Sequence, residues 1–188
     1  MKNLWPVTLK VGDITLRPLR MRDRAQWNSV RAQNREWLTP WEATVPHSPD
    51  TADQPPTYRQ MVRFHNREAR AGRAYSFAIF LGKNFIGQIT LGGVMLGALR
   101  GGHIGYWIDR TYASRGYTTD AVDAVTNFAF SKLFLHRIEI NIRPENAPSI
   151  RVAEKAGYHF ESERKEFLHI DGQWRDHVTF VKFNPAIH

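Results

Sequence analysis

The chain has 188 residues, the size of one globular domain at roughly 100–200 residues per domain. It carries 26 Lys and Arg against 18 Asp and Glu, so a formal net charge of +8 should attract anions such as nucleotide phosphates or ribosomal RNA. The absence of cysteine excludes disulfides, thiolate nucleophiles and zinc–thiolate sites. The start, MKNLWPVTLKVGD, has no apolar signal core, and no run approaches the ~20 apolar residues of a membrane span, so we expect a soluble cytoplasmic protein.

Apolar periodicity and turn residues predict a chain of alternating helices and strands. A strand at residues 14–19 should precede a helix that begins near Asp23, and Trp37, Leu38 and Trp41 should follow in a loop. Prolines mark an irregular stretch near residues 43–56, but neither a repeat nor a long linker divides the chain. We therefore expect one domain over residues 1–188.

The later elements alternate in the same way. They are a helix at 57–72, strands at 75–81 and 85–95, a glycine-rich loop, a strand at 103–109, a helix near 118–133, a strand at 136–143, a short helix at 148–157, and a hairpin of 158–170 with 174–183. This order of seven strands and four helices predicts an α/β (α+β) domain, with a mixed sheet that has helices on its faces.

A small-residue loop after the strand at 103–109 leads directly into a helix. Free N–H groups in a first helical turn bind anions, and Gly116 would allow a pyrophosphate to approach the backbone closely. Arg115 could add a positive charge. An ordinary strand-to-helix connection remains the alternative, because Asp120 and Asp123 already complement the helix dipole. Periodicity alone leaves both interpretations open.

Three segments, IGYWID, RGYTTDAV and HRIEINIRPENAPSIRVAEKAGYHFE, resemble the GNAT superfamily of acetyl-CoA-dependent N-acetyltransferases. The segments LRPLRMRD, REWLTPWE, FIGQITLGG and LHIDGQWRDH extend the resemblance to the RimJ/RimL-like enzymes, which acetylate the N-terminal amine of ribosomal proteins. The resemblance implies the GNAT fold: a mixed, mostly antiparallel seven-stranded sheet, splayed between its fourth and fifth strands. Acetyl-CoA would lie in the gap.

The resemblance also implies which residues contact acetyl-CoA. The family's pyrophosphate loop falls on residues 113–118, where Ala113 and Thr118 depart from its pattern, so backbone N–H groups and Arg115 should bind the phosphates. Asn146 matches the asparagine that holds the pantetheine arm. The expected acetyl-CoA-binding residues are Trp107, Ile108, Ala113, Ser114, Arg115, Gly116, Tyr117, Thr118, Thr119, Asn146 and Ser149.

Attack of an amine on a thioester needs a neutral amine, a stabilised oxyanion and a proton for the departing thiolate. The tyrosine that supplies this proton in many GNAT enzymes falls at Ala153, so Ser149 is the candidate, as in RimL-like enzymes. The general base could be His103, Glu42 or water, because the glutamate of RimL-like relatives falls on Leu168. A backbone N–H near the splay should bind the oxyanion.

The lack of a strong base favours an α-amine acceptor. With a pKa of about 7.7–8.0, roughly a tenth to a third of α-amines are neutral near pH 7, against about 0.1% or less for lysine. Trp37, Trp41 and Glu42 would then bind the acceptor, although they could equally form only a packed loop. In the same way, His103 could be a strand residue without a role, and Ser149 a simple helix-start residue.

Four arginines, Arg59, Arg63, Arg67 and Arg70, should form one face of the helix at 57–72. That face could be merely solvated, or could dock an acidic surface such as rRNA.

We predict an N-acetyltransferase that acts on a protein N-terminus, for example of a ribosomal protein. The alternatives are acetylation of a small-molecule amine, or a basic RNA-binding module. Eight histidines without ligand spacing give no support to a metal site, and the chain could be a monomer or a homodimer.

Overall fold

The computed structural model describes residues 4–46 and 55–187, so part of the proline-marked stretch, residues 47–54, lies outside the described residues. Within them the chain forms one eight-stranded sheet with the strand order β1-β2-β3-β4-β5-β6-β8-β7. The strands are β1 (Leu9–Val11), β2 (Ile14–Arg17), β3 (Tyr75–Leu81), β4 (Asn84–Met95), β5 (Gly101–Ile108), β6 (Arg137–Ile142), β7 (His159–Ile170) and β8 (Gln173–Phe183). The helices are α1 (Arg24–Gln33), α2 (Arg35–Leu38), α3 (Tyr58–Arg70), α4 (Tyr117–Lys132) and α5 (Ala147–Lys155).

The structure adds two elements to the predicted order. Strand β1 pairs with β2 as a tight hairpin, with Val11 opposite Ile14, so the sheet has eight strands where seven were expected. Its turn uses Gly12 at φ +49°, a conformation that glycine adopts without strain. The segment expected as a loop at Trp37 to Trp41 is helical, as α2 followed by one 3-10 turn at Thr39–Trp41.

Both faces of the sheet are covered by helices. In β3, Phe77 and Ile79 point into a large core with α4 and α5, whereas Ala78 and Phe80 point to a smaller core with α1 and α3. Burial on both faces explains why β3 is an unbroken apolar run from Phe77 to Leu81 rather than an alternating one. The mixed α/β architecture that the sequence predicts is therefore confirmed.

The sheet opens at its centre. Strands β5 and β6 run parallel and pair only at Gly101 to His103, opposite Arg137 to Glu139. Beyond His103, β5 stays paired with β4 as far as Ile108, while β6 stays paired with β8 through Ile142. The two strands therefore diverge and leave a wedge between them. This is the expected splay between the fourth and fifth strands, counted here as fifth and sixth because β1 precedes them.

A close approach between β4 and β5 holds one side of the wedge. Gly87 pairs with Ile108, and a Cβ on Gly87 would lie only 2.4 Å from the backbone carbonyl oxygen of Trp107. Such a contact is too short for any side chain, so glycine is required for β5 to follow β4 to its end. Gly105, in contrast, lies in open space, since a Cβ there would meet no heavy atom of the described residues within 4 Å.

We expect Gly87→Ala to lower the free energy of unfolding by about 1–3 kcal/mol, because the methyl group would force β5 away from β4. Gly105→Ala in the neighbouring strand is the matched control and should change it by no more than about 0.5 kcal/mol. Urea denaturation of both variants measures this difference. Equal losses in the two variants would contradict the close approach at Gly87.

Candidate active site

A cavity of about 790 Å³ runs along β5 from the mouth of the wedge to the start of α4. Its walls come from β5, from the loop before α4, from α5, and from the segment that contains α2. Among the residues that line it, twelve belong to the predicted site: Trp37, Trp41, Glu42, Trp107, Ile108, Ala113, Ser114, Gly116, Thr118, Thr119, Asn146 and Ser149.

One end of this cavity is suited to an anion. Gly116 is the first cap residue of α4 at φ +89°, and Thr118 and Thr119 of the first turn line the cavity beside it. The free N–H groups of that turn and the helix dipole both favour negative charge. Arg151 and Lys155, four residues apart on α5, line the same cavity and add two cationic side chains. The geometry can therefore accept a phosphorylated ligand.

The start of α5 brings Asn146 and Ser149 to the cavity wall. The side-chain oxygen of Asn146 accepts a hydrogen bond from the Ser149 N–H at 3.2 Å, which caps the helix. The hydroxyl of Tyr106 donates to the Ser149 carbonyl at 3.2 Å, and burial raises the pKa of Tyr106 well above its usual range. A hydrogen bond from the Ser149 side chain to Tyr106 acts against this rise, so the two hydroxyls lie side by side, and Ser149 lines the cavity beside Tyr106.

A second cavity of about 210 Å³ lies between the diverging strands β5 and β6. The two cavities meet at six residues that line both of them: Trp41, Ala43, Gly105, Tyr106, Asn146 and Ser149. Because Gly105 has no side chain, the junction is open. Leu168 and other residues of the β7–β8 hairpin line the far side. A ligand in the first cavity can thus meet a second ligand that enters from the hairpin side.

The segment after α2 is fastened to the β7–β8 hairpin. Ala43 forms a β-bridge with Ile170, and the Thr44 N–H donates to the His169 carbonyl at 2.9 Å. Trp41, Ala43 and Ile170 all line the second cavity. These bonds fix the position of the wall that Trp41 and Ala43 form.

Both tryptophans of this wall are anchored by polar contacts. The Trp37 indole N–H donates to the Ile108 carbonyl at 3.2 Å, which ties α2 to the end of β5. The Arg143 guanidinium lies 5.3 Å from the Trp41 ring and donates to the Pro40 carbonyl at 2.7 Å. Each ring therefore has a fixed position at the cavity rather than a loose packing contact.

Glu42 lines the first cavity and forms an ion pair with Arg31. The Arg31 guanidinium also lies 5.2 Å from the Trp107 ring, so Glu42 is linked to β5 through Arg31. Glu42 therefore faces the cavity with its carboxylate already paired to a guanidinium.

The chain matches the acetyltransferase (GNAT) domain family over residues 13–159. It belongs to the GNAT family of acetyltransferases. It is 31% identical to a probable N-acetyltransferase, YjcK, of Bacillus subtilis over 94% of this chain and 97% of that protein. It is 29% identical to the ribosomal protein uS5-alanine N-acetyltransferase of Escherichia coli over 97% of this chain and 94% of that protein.

Solved structures of the family share the fold. The structure of Mycobacterium smegmatis RimJ in complex with CoA-disulfide superposes with a TM-score of 0.88 at 35% identity, covering 97% of this chain and 90% of that one. The RimJ/RimL-like resemblance, the GNAT fold and the N-acetyltransferase class are thereby confirmed. The chain is an enzyme of a family that uses acetyl-CoA, which favours catalysis over the interpretation as a basic RNA-binding module.

His103 lies at the apex of the splay and is not among the described residues that line either cavity. Its ring packs on β4, where a Cβ on Gly92 or Gly93 would come within 2.9 Å of it. Across the sheet it pairs with Glu139. That carboxylate accepts a hydrogen bond from Arg164 at 2.8 Å. The sequence-based expectation that His103 faces the reacting groups is therefore not met by its position.

Arg115 and Tyr117 are also absent from the described cavity lining. The Arg115 guanidinium lies 5.6 Å from the ring of Tyr112, and the ring of Tyr117 packs at 6.5 Å from the same ring. The cationic side chains of the cavity come instead from Arg151 and Lys155 of α5. Sequence reasoning missed this pair, although its spacing of four residues on a predicted helix was a usable signal.

The arginine face of α3 is where the sequence predicts it. All four of its members are exposed, while Tyr58, Val62 and Ala69 are buried on the opposite side of the helix. The helix begins with the expected capping box of Thr57 and Gln60. None of the four arginines lines either cavity among the described residues: Arg59, Arg63, Arg67 and Arg70.

Two further observations concern the described residues alone. Within residues 4–46 and 55–187, there is no group of three or more His, Asp or Glu side chains that could hold a metal ion. In that same part of the chain, every helix is too short or too polar to cross a membrane.

Proposed function

We propose that this enzyme transfers the acetyl group of acetyl-CoA to the N-terminal α-amine of a protein, such as a ribosomal protein in the cytoplasm. The observation that carries the proposal is the junction of the two cavities at Gly105 and Ser149. A donor would occupy the first cavity, called the long cavity below, and an acceptor would enter the second, called the short cavity. The two would meet at the junction. The relative from Escherichia coli, named for uS5-alanine N-acetylation, supports the choice of acceptor.

The long cavity has the features that acetyl-CoA needs. The pyrophosphate of acetyl-CoA would bind to the backbone N–H groups after Gly116, beside Thr118 and Thr119. Arg151 and Lys155 would be its cationic partners. Further side chains around the donor would be those of Trp107, Ile108, Ala113, Ser114 and Asn146. Because Arg115 and Tyr117 lie outside the described lining, we expect them to contribute little to this binding.

The chemistry would take place on β5. Beyond His103, this strand has no pairing with β6, so its N–H groups that point into the wedge near Trp107 and Ile108 can stabilise the thioester oxygen as it becomes negative. The amine nitrogen attacks the carbonyl carbon, the carbon–sulfur bond breaks, and the CoA thiolate leaves. The hydroxyl of Ser149 at the junction would give the thiolate its proton or a hydrogen bond.

The acceptor would lie between Trp41 and the β7–β8 hairpin. Trp37 and Trp41 provide apolar walls, and Glu42 would attract the cationic end of the acceptor as it approaches. A second candidate, a small-molecule amine, is favoured by the bridge between Ala43 and Ile170, because this bridge bounds the short cavity on one side. The volume of about 210 Å³ accommodates a first residue with a small side chain as well as a small free amine.

An acceptor panel distinguishes the two candidates. We expect CoA release with peptides that begin with Ala, Ser or Thr, because a part of their α-amines is neutral near pH 7. The matched controls are N-terminally blocked copies of the same peptides with an internal Lys, which should be inert. Polyamines and aminoglycosides complete the panel. Turnover restricted to those amines or to the blocked peptides would contradict the N-terminal acceptor.

The source of the cationic charge at the donor site is testable with a pair of variants. We expect Arg151→Gln to weaken acetyl-CoA binding by about tenfold, the loss of one charge-assisted hydrogen bond to a phosphate. Arg115→Gln removes the same charge nearby and should weaken binding less. Titration calorimetry of both variants measures the two dissociation constants. A larger effect at Arg115 would contradict this and indicate that the loop before α4 supplies the phosphate contact.

A further inference from the structure

A buried histidine on β8 belongs to neither the predicted site nor the proposed donor contacts. His177 is only 3% exposed, yet it lines the short cavity together with Tyr106 of β5 and Leu168 of β7. The ring of Phe167 packs edge-on against it, with 5.7 Å between the ring centroids. His177 therefore lies on the acceptor side of the junction, in a fixed orientation.

The hydrogen bonds of this histidine determine which nitrogen can accept a proton. Its Nδ1 lies 3.0 Å from the Arg175 carbonyl oxygen. A carbonyl oxygen can only accept, so Nδ1 carries the proton, and in the neutral ring Nε2 has the free lone pair. Nε2 has no hydrogen-bond partner in the described residues. It is also not fully buried, because the only fully buried side-chain nitrogen or oxygen without a partner in that part of the chain is Arg175 Nε. Nε2 of His177 must therefore reach the cavity that its ring lines.

The other groups at this cavity are poor proton acceptors. Its titratable side chains among the described residues are those of Tyr106, Arg143 and His177. Burial raises the pKa of Tyr106 well above its usual range, so this hydroxyl stays protonated. A guanidinium has no free acceptor, so Arg143 cannot take a proton either. Leu168, where RimL-like relatives carry a glutamate, has no acceptor at all.

We propose that Nε2 of His177 is the general base that takes a proton from the acceptor amine. The proposal rests on the proposed function, because it needs an amine in the short cavity. The acceptor arrives as an ammonium ion, His177 takes one proton, and the neutral amine attacks the thioester carbon. As the C–N bond forms and the C–S bond breaks, Ser149 gives its hydroxyl proton to the CoA thiolate and takes the second proton of the nitrogen in its place. The imidazolium then releases its proton to solvent.

The surroundings of His177 favour its neutral form. Burial is the main cause that lowers its pKa, and the Arg143 guanidinium lowers it further. The bond to the Arg175 carbonyl and the carboxylates of Glu145 and Asp176 act in the opposite direction. Arg164 of β7 lies opposite His177 in the sheet, but its guanidinium donates to the Glu139 carboxylate at 2.8 Å. A histidine with a lowered pKa is unprotonated near pH 7, as a base must be.

The test removes the basic nitrogen of His177 and keeps the hydrogen bond to the Arg175 carbonyl. In His177→Asn the side-chain amide can still donate to the Arg175 carbonyl, but no basic nitrogen remains. With a peptide that begins with Ala, we expect kcat/KM at pH 7 to fall by about 100-fold, within the usual range for general bases. Between pH 7 and pH 9 this deficit should shrink by about tenfold, because the acceptor amine, with a pKa of about 8, loses its proton unaided.

Two matched variants accompany the test. His65→Asn, on α3, removes another histidine whose pKa burial lowers but which lines neither cavity in the described part of the chain, and should change kcat/KM by less than twofold. His103→Asn tests the competing candidate. If His177→Asn does not fold, His177→Gln replaces it in the same series. Acetyl-CoA affinity of each variant is measured alongside, and should stay within twofold of the wild type.

The outcomes separate the inference from the function it rests on. A deficit that stays constant from pH 7 to pH 9 would assign His177 a structural role and overturn the proposal. So would a pH-recoverable loss in His103→Asn without one in His177→Asn. No turnover of the Ala peptide by the wild type contradicts the proposed function instead, and the same series is then run with the amine that is accepted.

Discussion

The separation of β5 from β6 is the constraint on which the site depends. The two strands share three residue pairs and then part, because each is fixed to a different neighbour. On one side, Gly87 allows β5 to follow β4 as far as Ile108. On the other, β6 pairs with β8 along all six of its residues. Backbone groups that would otherwise complete the sheet are left facing the wedge, where a ligand can satisfy them.

The two cavities divide the chemistry between a donor side and an acceptor side. The donor side combines a helix start with two cations of α5, a combination suited to phosphates. The acceptor side is bounded by Trp41, by apolar residues of β7 and by His177. In our proposal, the amine loses its proton on one side of the junction, while the thiolate gains one beside Ser149 on the other.

The positive charge of the chain has several structural uses. Arg137 and Arg164 meet the carboxylate of Glu139 near the apex of the splay, and Arg31 compensates Glu42 at the cavity wall. Arg151 and Lys155 face the long cavity. The exposed arginines of α3 line neither cavity among the described residues. Their field can attract acidic partners at long range, but its screening by salt limits that effect to about 10 Å at 0.1 M.

Local patterns predicted most of the elements and the loop that leads into α4. The cap of α4 at Gly116, the capping box of α3 and the final hairpin depend on neighbouring residues, so the sequence carries them directly. The short strand β1 was missed because three residues give too little periodicity. The region of Trp37 to Trp41 was expected as a loop because its apolar residues do not extend beyond two turns.

The remaining differences arise from long-range contacts. Whether Arg115 or Arg151 faces the cavity depends on how α5 packs beside α4, which no local pattern contains. His103 and His177 lie on strands that are distant in sequence, and only the splay decides which of them reaches a cavity. The positions of Ser149 and Asn146, in contrast, followed from the family motif and are at the cavity wall.

Hydrogen exchange with and without acetyl-CoA tests the central claim most directly, namely that the wedge and the start of α4 bind the donor. We predict that exchange slows by about tenfold or more in residues 104–108 and 116–119, which the bound donor would cover. Residues 59–70 of α3, away from the described cavity lining, should be unchanged and serve as the internal control. Protection confined to α3, or its absence from residues 104–108 and 116–119 at saturating acetyl-CoA, would contradict the account.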